Sequence, residues 1–343
     1  MRTPSPAARN ARGAERREPG PWRRALIDLG GVVGVLPAVF AVRSSVRAAW
    51  LTLHPPHKPV QPTPERYGLK HERVMVAGAD GVRLACWFIP SPGARDGVVL
   101  GHGLNRDSGM LMSLAKALHE AGYHVLTFDM RNHGESADDG LRRGQSPRFA
   151  VDFGNVVQHF KQRPEMAGGR AACLGMSMSA WTALDVARLD PGFVRAVICD
   201  SGPTLDIGDT LQRMFEARRG RLPAWQRGPL MYRIARGAYR RAALYFLKPA
   251  PWPVPFTDHS IRLLFISGAA DPVARPQDVE RQLAWYPQAD HWLVPRAGHN
   301  TCHIMAADEY AERVLAVLAA AFADQPNEGS TGHGVVPADR EPQ

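Results

Sequence analysis

Apolar and polar positions along the chain follow two alternating rhythms. Short apolar runs, rich in Val, Ile, Leu and Phe, recur between stretches whose apolar residues return every three or four positions. The runs predict strands over Arg73–Ala77, Val82–Ile89, Gly97–Gly103, Tyr123–Met130, Arg170–Met176, Val194–Asp200, Ile261–Gly268 and Asp290–Pro295. The first two flank the turn sequence "GADG" and read as a hairpin. Between the others, helices are predicted over Asp107–Ala121, Phe149–Arg163, Ser179–Leu189, Gln277–Tyr286 and Ile304–Ala323. Continuous apolar runs separated by amphipathic helices imply a mostly parallel sheet covered on both faces. The fold class is therefore α/β, over roughly residues 70–325, with a longer insert at 203–259 between two strands.

The flanks break this rhythm. Residues 1–24 are rich in Arg, Pro, Ala and Gly and read as a disordered basic tail; residues 326–343 read as a polar, disordered tail. Ala25–Val42, "ALIDLGGVVGVLPAVFAV", is apolar except for Asp28, and a Pro-rich linker follows over 51–69. As a helix the apolar segment comes close to spanning a hydrocarbon core of roughly 30 Å. The expectation is a membrane anchor within residues 25–50, single-pass, with the catalytic domain on the outer side because positive charge is densest before it. A signal peptide cleaved after Ala41, giving a secreted protein, and a helix packed on a cytoplasmic domain are the alternatives.

The formal net charge of +9 raises a nucleic-acid reading, but its distribution opposes one. Residues 1–24 and the insert 203–259 hold all of the excess, and the rest of the chain is slightly acidic. No stacking motif or base-reading helix accompanies either patch. The four cysteines lack metal or redox spacing, so neither a metal site nor a cofactor is expected.

The chemistry is carried by "CLGMSMSAW", where Ser177 stands between a predicted strand and a predicted helix, two places after Gly175. That context is a nucleophile elbow: a sharp turn that presents a serine hydroxyl and needs small neighbours. The fifth position of Gly-x-Ser-x-Gly is Ser179 rather than glycine. A serine hydroxyl needs a base to take its proton, and the base needs an orienting acid. "ISGAADPVARP" ends one strand and delivers Asp271; "LVPRAGHN" ends the next and delivers His299. Asp200, after "AVIC", is the rival acid and His303 the rival base. Upstream, "LGHGLNRDSG" places His102, Gly103 and Leu104 after a strand, and "FDMRNHGES" forms a strand-turn segment.

With these motifs in the order Ser, Asp, His, the chain resembles the α/β-hydrolases, and among them the serine aminopeptidase-like and monoacylglycerol-lipase-like hydrolases, some of which carry an N-terminal membrane segment. The resemblance implies Ser177 as nucleophile, His299 as base, Asp271 as acid, and the backbone N–H groups of Leu104 and Met178 as the oxyanion hole. It also implies that the insert 203–259 is a helical cap over the site. The expected function is hydrolysis of a carboxylic ester, with a lipid or acyl ester among the candidates, or of an amide, through an acyl-enzyme. The expected partners are that small-molecule substrate and, through the N-terminal helix, a membrane. An acyltransferase using the same triad, an aminopeptidase-like amide hydrolase and, last, a non-catalytic binding module are the alternatives.

Overall fold

The computed structural model describes residues 21–254 and 259–323. The basic tail up to residue 20 and the C-terminal tail from residue 324 lie outside the described residues, as do the side chains of residues 21–33. Eight strands form one sheet: β1 (Glu72–Ala77), β2 (Arg83–Ile89), β3 (Gly97–Gly101), β4 (His124–Phe128), β5 (Ala171–Met176), β6 (Val194–Asp200), β7 (Arg262–Gly268) and β8 (Ala289–Val294). Their order is β1-β2-β4-β3-β5-β6-β7-β8. β2 pairs antiparallel with both neighbours, and every pair from β4 to β8 is parallel. β3, β4 and β5 are buried along their whole length, as continuous apolar runs require when both faces are covered.

The helices are α1 (Pro21–Leu53), α2 (Met112–Glu120), α3 (Gln145–Lys161), α4 (Met178–Leu189), α5 (Ile207–Glu216), α6 (Pro229–Leu247), α7 (Pro276–Leu283), α8 (Cys302–Met305) and α9 (Ala307–Phe322). Alternate strand residues point into two separate cores. Val99, Leu126, Cys173, Val197 and Phe265 pack with Phe153, Phe160 and Leu184 of α3 and α4. Val98, Val125, Leu174, Ile198 and Ile266 pack with Leu118 of α2 and Val314 and Leu318 of α9. The parallel strands therefore all end along one edge of the sheet, and the candidates for chemistry named above lie at these strand ends or in the segments that leave them.

One such loop is built around charge. The guanidinium of Arg131, fully buried, holds Asp152 through two bonds of 2.6 and 2.7 Å and Asp139 at 3.0 Å. Asp129 accepts from the Ser108 and Glu135 N–H groups at 2.7 and 2.8 Å. These bonds fix the turn after β4 against the loop after β3.

The membrane expectation is corrected by the N-terminal helix. Among the described residues no helix is long and apolar enough to cross a membrane, so the anchor over Ala25–Val42 and the single-pass localisation are not upheld. The segment is part of α1, which runs on through Ser44, Ser45 and Arg47 to Leu53. Its C-terminal half belongs to the core: Ala41, Ser45, Ala49, Thr52 and Leu53 are buried. The Thr52 and Tyr239 hydroxyls meet at 2.9 Å, Gln226 donates to Ser44 at 2.8 Å, and Trp50 stacks on His54 at 3.5 Å and meets Phe246 edge-on. A continuous apolar stretch and a helix buried on one face against a neighbour have similar composition; the partner, α6, is what separates them. The helix ends at Leu53, and both Val60 and Leu69 beyond it are buried.

Removal of residues 1–50 is accordingly expected to destabilise the domain. It uncovers Tyr239 and Phe246 and takes away Ala41, Ala49 and Trp50, a loss of about 3–6 kcal/mol at 1.5–3 kcal/mol per large side chain uncovered, against a typical net stability of about 5–15 kcal/mol. A urea melt reads this directly: the truncated chain should lose most of its cooperative transition, and an unchanged midpoint would show that α1 contributes nothing.

Candidate active site

Ser177 follows β5 directly and N-caps α4 with φ 52° and ψ −110°, a backbone conformation rarely occupied by a residue with a side chain. The turn is tight because Gly175 lets α4 come close: a Cβ there would stand 2.2 Å from the Ser179 carbonyl oxygen. Ser179, where the motif has glycine, is accommodated by a second glycine, since a Cβ on Gly101 would stand 2.7 Å from Ser179 Cβ. The Ser179 hydroxyl donates to the His102 carbonyl at 2.5 Å, which ties the elbow to the loop after β3.

The structure brings Ser177, His299 and Asp271 together from three different strand ends. Ser177 Oγ lies 3.0 Å from His299 Nε2, and His299 Nδ1 lies 2.8 Å from Asp271 Oδ2. Asp271 is buried, and its Oδ1 accepts from the Val273 and Ala274 N–H groups at 2.7 and 3.0 Å. A carboxylate held this way can only accept from Nδ1–H, which leaves Nε2 with its lone pair toward the serine hydroxyl. The rivals stand elsewhere. His303 is in α8, and Asp200 is sealed beneath the elbow with its backbone carbonyl accepting from the Ser177 N–H at 2.8 Å.

Gly103 packs directly on Ser177, and Leu104 follows it. Met178 is the first residue of α4, where helix N–H groups have no intrahelical acceptor. The two N–H groups expected to face a developing negative charge therefore belong to the loop against Ser177 and to the helix that starts at it. His102 and His133 hold this loop. His102 donates from Nδ1 to the Gly103 carbonyl at 2.8 Å and accepts at Nε2 from Met130 N–H at 2.9 Å. His133 donates to the Arg131 carbonyl at 2.8 Å and accepts from Asn105 N–H at 3.2 Å. Burial pushes His102 down to about 4 and His133 down to about 3, so both stay neutral and keep these tautomers. Asn105 also donates to the Thr52 carbonyl at 3.2 Å, which joins α1 to the same loop. Sequence reading missed this contact and the Ser179–Gly101 exchange; the small residues in "LGHG" were the only signal for the second.

Beside Met178 a cavity of about 530 Å³ opens between α4, the start of the insert and its end. Trp181, Leu205, Ile207, Leu247, Trp252 and Val254 make its walls predominantly apolar. The insert itself is steadied by charge. Arg236 reaches Glu216 at 3.0 Å and Arg240 reaches Asp209 at 3.7 Å, so two arginines of α6 are paired with α5. Arg213 also reaches Asp278 of α7 at 2.8 Å, beneath the loop that carries Asp271.

Strand order, a left-handed serine at the end of β5 and an acid and a histidine after β7 and β8 define the α/β-hydrolase fold. The profile of a family described as "Serine aminopeptidase, S33" matches residues 92–242. That stretch holds Leu104, Ser177 and Met178 but ends before Asp271 and His299, which rest on geometry alone. In structure the chain is similar to an esterase of Pyrococcus furiosus, at a TM-score of 0.63 and 23% identity over 78% of this chain and 97% of that one. Among curated proteins it is 33% identical to the uncharacterized protein YfhR of Escherichia coli K12 over 138 residues, 38% of this chain and 46% of that one. It is 31% identical to an uncharacterized protein of Mycobacterium tuberculosis H37Rv over 116 residues, 33% of this chain and 40% of that one. The chain thus spans less than half the length of these curated relatives. Fold and family match together support a hydrolase.

Proposed function

We propose that the protein is a serine hydrolase that cleaves a carboxylic ester with an apolar acyl group, through an acyl-enzyme on Ser177. The observation that carries this reading is the relay of 3.0 and 2.8 Å from Ser177 through His299 to Asp271, seated on a strained elbow. His299 Nε2 takes the serine proton as Oγ attacks the carbonyl, and Asp271 stabilises the imidazolium that forms. The Leu104 and Met178 N–H groups stabilise the oxyanion, each worth about 2.7–4 kcal/mol where such a donor has been removed elsewhere. His299 then protonates the leaving oxygen, and water repeats the sequence to release the acid. The apolar cavity beside Met178 supports an acyl group of hydrocarbon character, and the fold's similarity to an esterase agrees with an ester. The description of the matching family favours an amide as the second reading.

The test is covalent labelling with a fluorophosphonate, followed by turnover of a chain-length panel of activated esters beside aminoacyl anilides. The expected result is a single adduct on Ser177, with ester rates that rise with acyl length until the cavity is filled. An adduct elsewhere would overturn the site, and anilide turnover above ester turnover would replace the ester by the amide. Product analysis with added alcohols reads acyl transfer in the same assay.

A further inference from the structure

Directly beneath the elbow lies a second carboxylate that the relay does not use. Asp200 ends β6 between Met176 of β5 and Ile266 of β7, and it is wholly buried. Its backbone carbonyl accepts from the N–H of Ser177 at 2.8 Å. Its Oδ1 accepts from the Ser201 hydroxyl at 2.8 Å, and the Ser201 oxygen in turn accepts from the N–H of Asn300 at 2.9 Å. Asn300 is the residue after His299, and both Ser201 and Asn300 have left-handed backbones, with φ 57° each. Asp200 therefore meets the elbow of the nucleophile through its backbone carbonyl and the loop that carries the base through its side chain and Ser201.

The remaining surroundings of Asp200 are unusual for a structural acid. No Lys or Arg forms an ion pair with it among the described residues, and its Oδ2 is buried with no hydrogen bond of good geometry, the Tyr310 hydroxyl and the Cys302 thiol being its neighbours. The groups that face it are the Ser201 hydroxyl, the Tyr310 hydroxyl of α9, the Cys302 thiol of α8, the Cys199 thiol of its own strand and His299, which can carry positive charge. The Tyr310 hydroxyl is itself buried without a partner of good geometry. Burial of a carboxylate with no Lys or Arg beside it costs stability, and an asparagine would fill the same space without a charge. A charge retained under that penalty, next to a reactive serine and its base, is a candidate for a functional role.

We propose that Asp200 is a positioning residue of the active site: through Ser201 it holds the His299 loop against the Ser177 elbow, and its negative charge stabilises the imidazolium of His299 from below. This rests on the reading of Ser177 and His299 given above. Desolvation pushes the Asp200 carboxyl up to about 6, opposed in turn by Ser201, Tyr310, Cys302 and the proximity of His299. The sign follows. A folded-state value above the unfolded one means that the ionised form weakens folding as pH rises through about 4 to 6, and the penalty is present in full above that window. Asp200 is thus neutral in acid and charged where a serine hydrolase works.

The experiment is the pH profile of kcat/KM on an activated ester, with a thermal melt at each pH, for the full chain and for Asp200→Asn and Ser201→Ala. Asp200→Asn keeps the shape and most of the hydrogen bonds but removes the charge. The expected result is a roughly tenfold loss of kcat/KM, and an acid limb that moves to lower pH, as loss of a nearby negative charge requires. Its melting temperature above pH 6 should be unchanged or higher. Ser201→Ala breaks the link and keeps the charge, so kcat should fall while the acid limb stays in place. A profile unmoved by Asp200→Asn overturns the proposal, as does a rate that falls only in step with the melting temperature. If Asp200→Asn instead costs as much as Asp271→Asn, Asp200 belongs to the relay and the positioning role is wrong. Ser177→Ala separates the two readings: activity that survives it sinks the serine hydrolase, whereas an inactive Ser177→Ala beside an unmoved Asp200→Asn profile sinks this inference alone.

Discussion

Ser177→Ala is expected to reduce kcat by up to about 10⁶-fold, the scale on which loss of the nucleophile disables a serine relay. Alanine removes the only atom that can form the acyl-enzyme and leaves the oxyanion donors and the cavity intact, so a residual rate well above that in water remains. The fold should tolerate the change. The side chain makes no cap bond to α4, and its only hydrogen bond is the one of 3.0 Å to His299, so the stability change should stay within about 1 kcal/mol. The strained φ of 52° persists in alanine but not in glycine, which occupies that region freely. Ser177→Gly should therefore be as inactive as the alanine variant and melt at a higher temperature. Kinetics with an activated ester, together with a melt of both variants, decide the point. A variant that retains more than a hundredth of the activity would mean that another group attacks the substrate.

Asp271→Asn is expected to lower kcat by about 10⁴-fold, the effect of the same change in the serine protease template. The cause is the tautomer rather than a loss of structure. An amide at position 271 can still accept from the Val273 and Ala274 N–H groups through its oxygen. Its NH₂ then points at His299 Nδ1, which must accept, so the ring proton moves to Nε2 and faces the serine hydroxyl as a donor. The base has lost its lone pair where it is needed. Comparing kcat with kcat/KM separates this from weakened binding, because both should fall by the same factor. A loss under tenfold would remove Asp271 from the relay and return the role to Asp200.

Much of the fold could be read along the chain because β2 to β7 are buried on both faces almost throughout and therefore write themselves as apolar runs, whereas the edge strands β1 and β8 are partly exposed. The eight predicted strands correspond to the eight observed, with ends displaced by a residue or two. Helix boundaries followed less well. The last predicted helix, Ile304–Ala323, is broken at Ala306, so that α8 and α9 are separate, and nothing in the local pattern of "HIMAADEY" signals a break.

What the sequence by itself determined was the order of chemical groups: a serine, an acid and a histidine, each placed where an apolar run stops. A parallel sheet delivers all such stops to one edge, so order along the chain becomes proximity in space. Which of two acids meets the histidine was decided only by tertiary structure. Asp200 ends β6 and Asp271 follows β7, but Asp200 lies beneath the elbow whereas Asp271 reaches 2.8 Å from the ring. The exchange of Ser179 for glycine was likewise settled by a distant residue, Gly101 on the neighbouring strand, which clears the space. The N-terminal helix shows the limit most plainly. An apolar stretch states that a surface must leave water and not what will cover it, and here the cover for its second half, α6, lies nearly two hundred residues further along the chain.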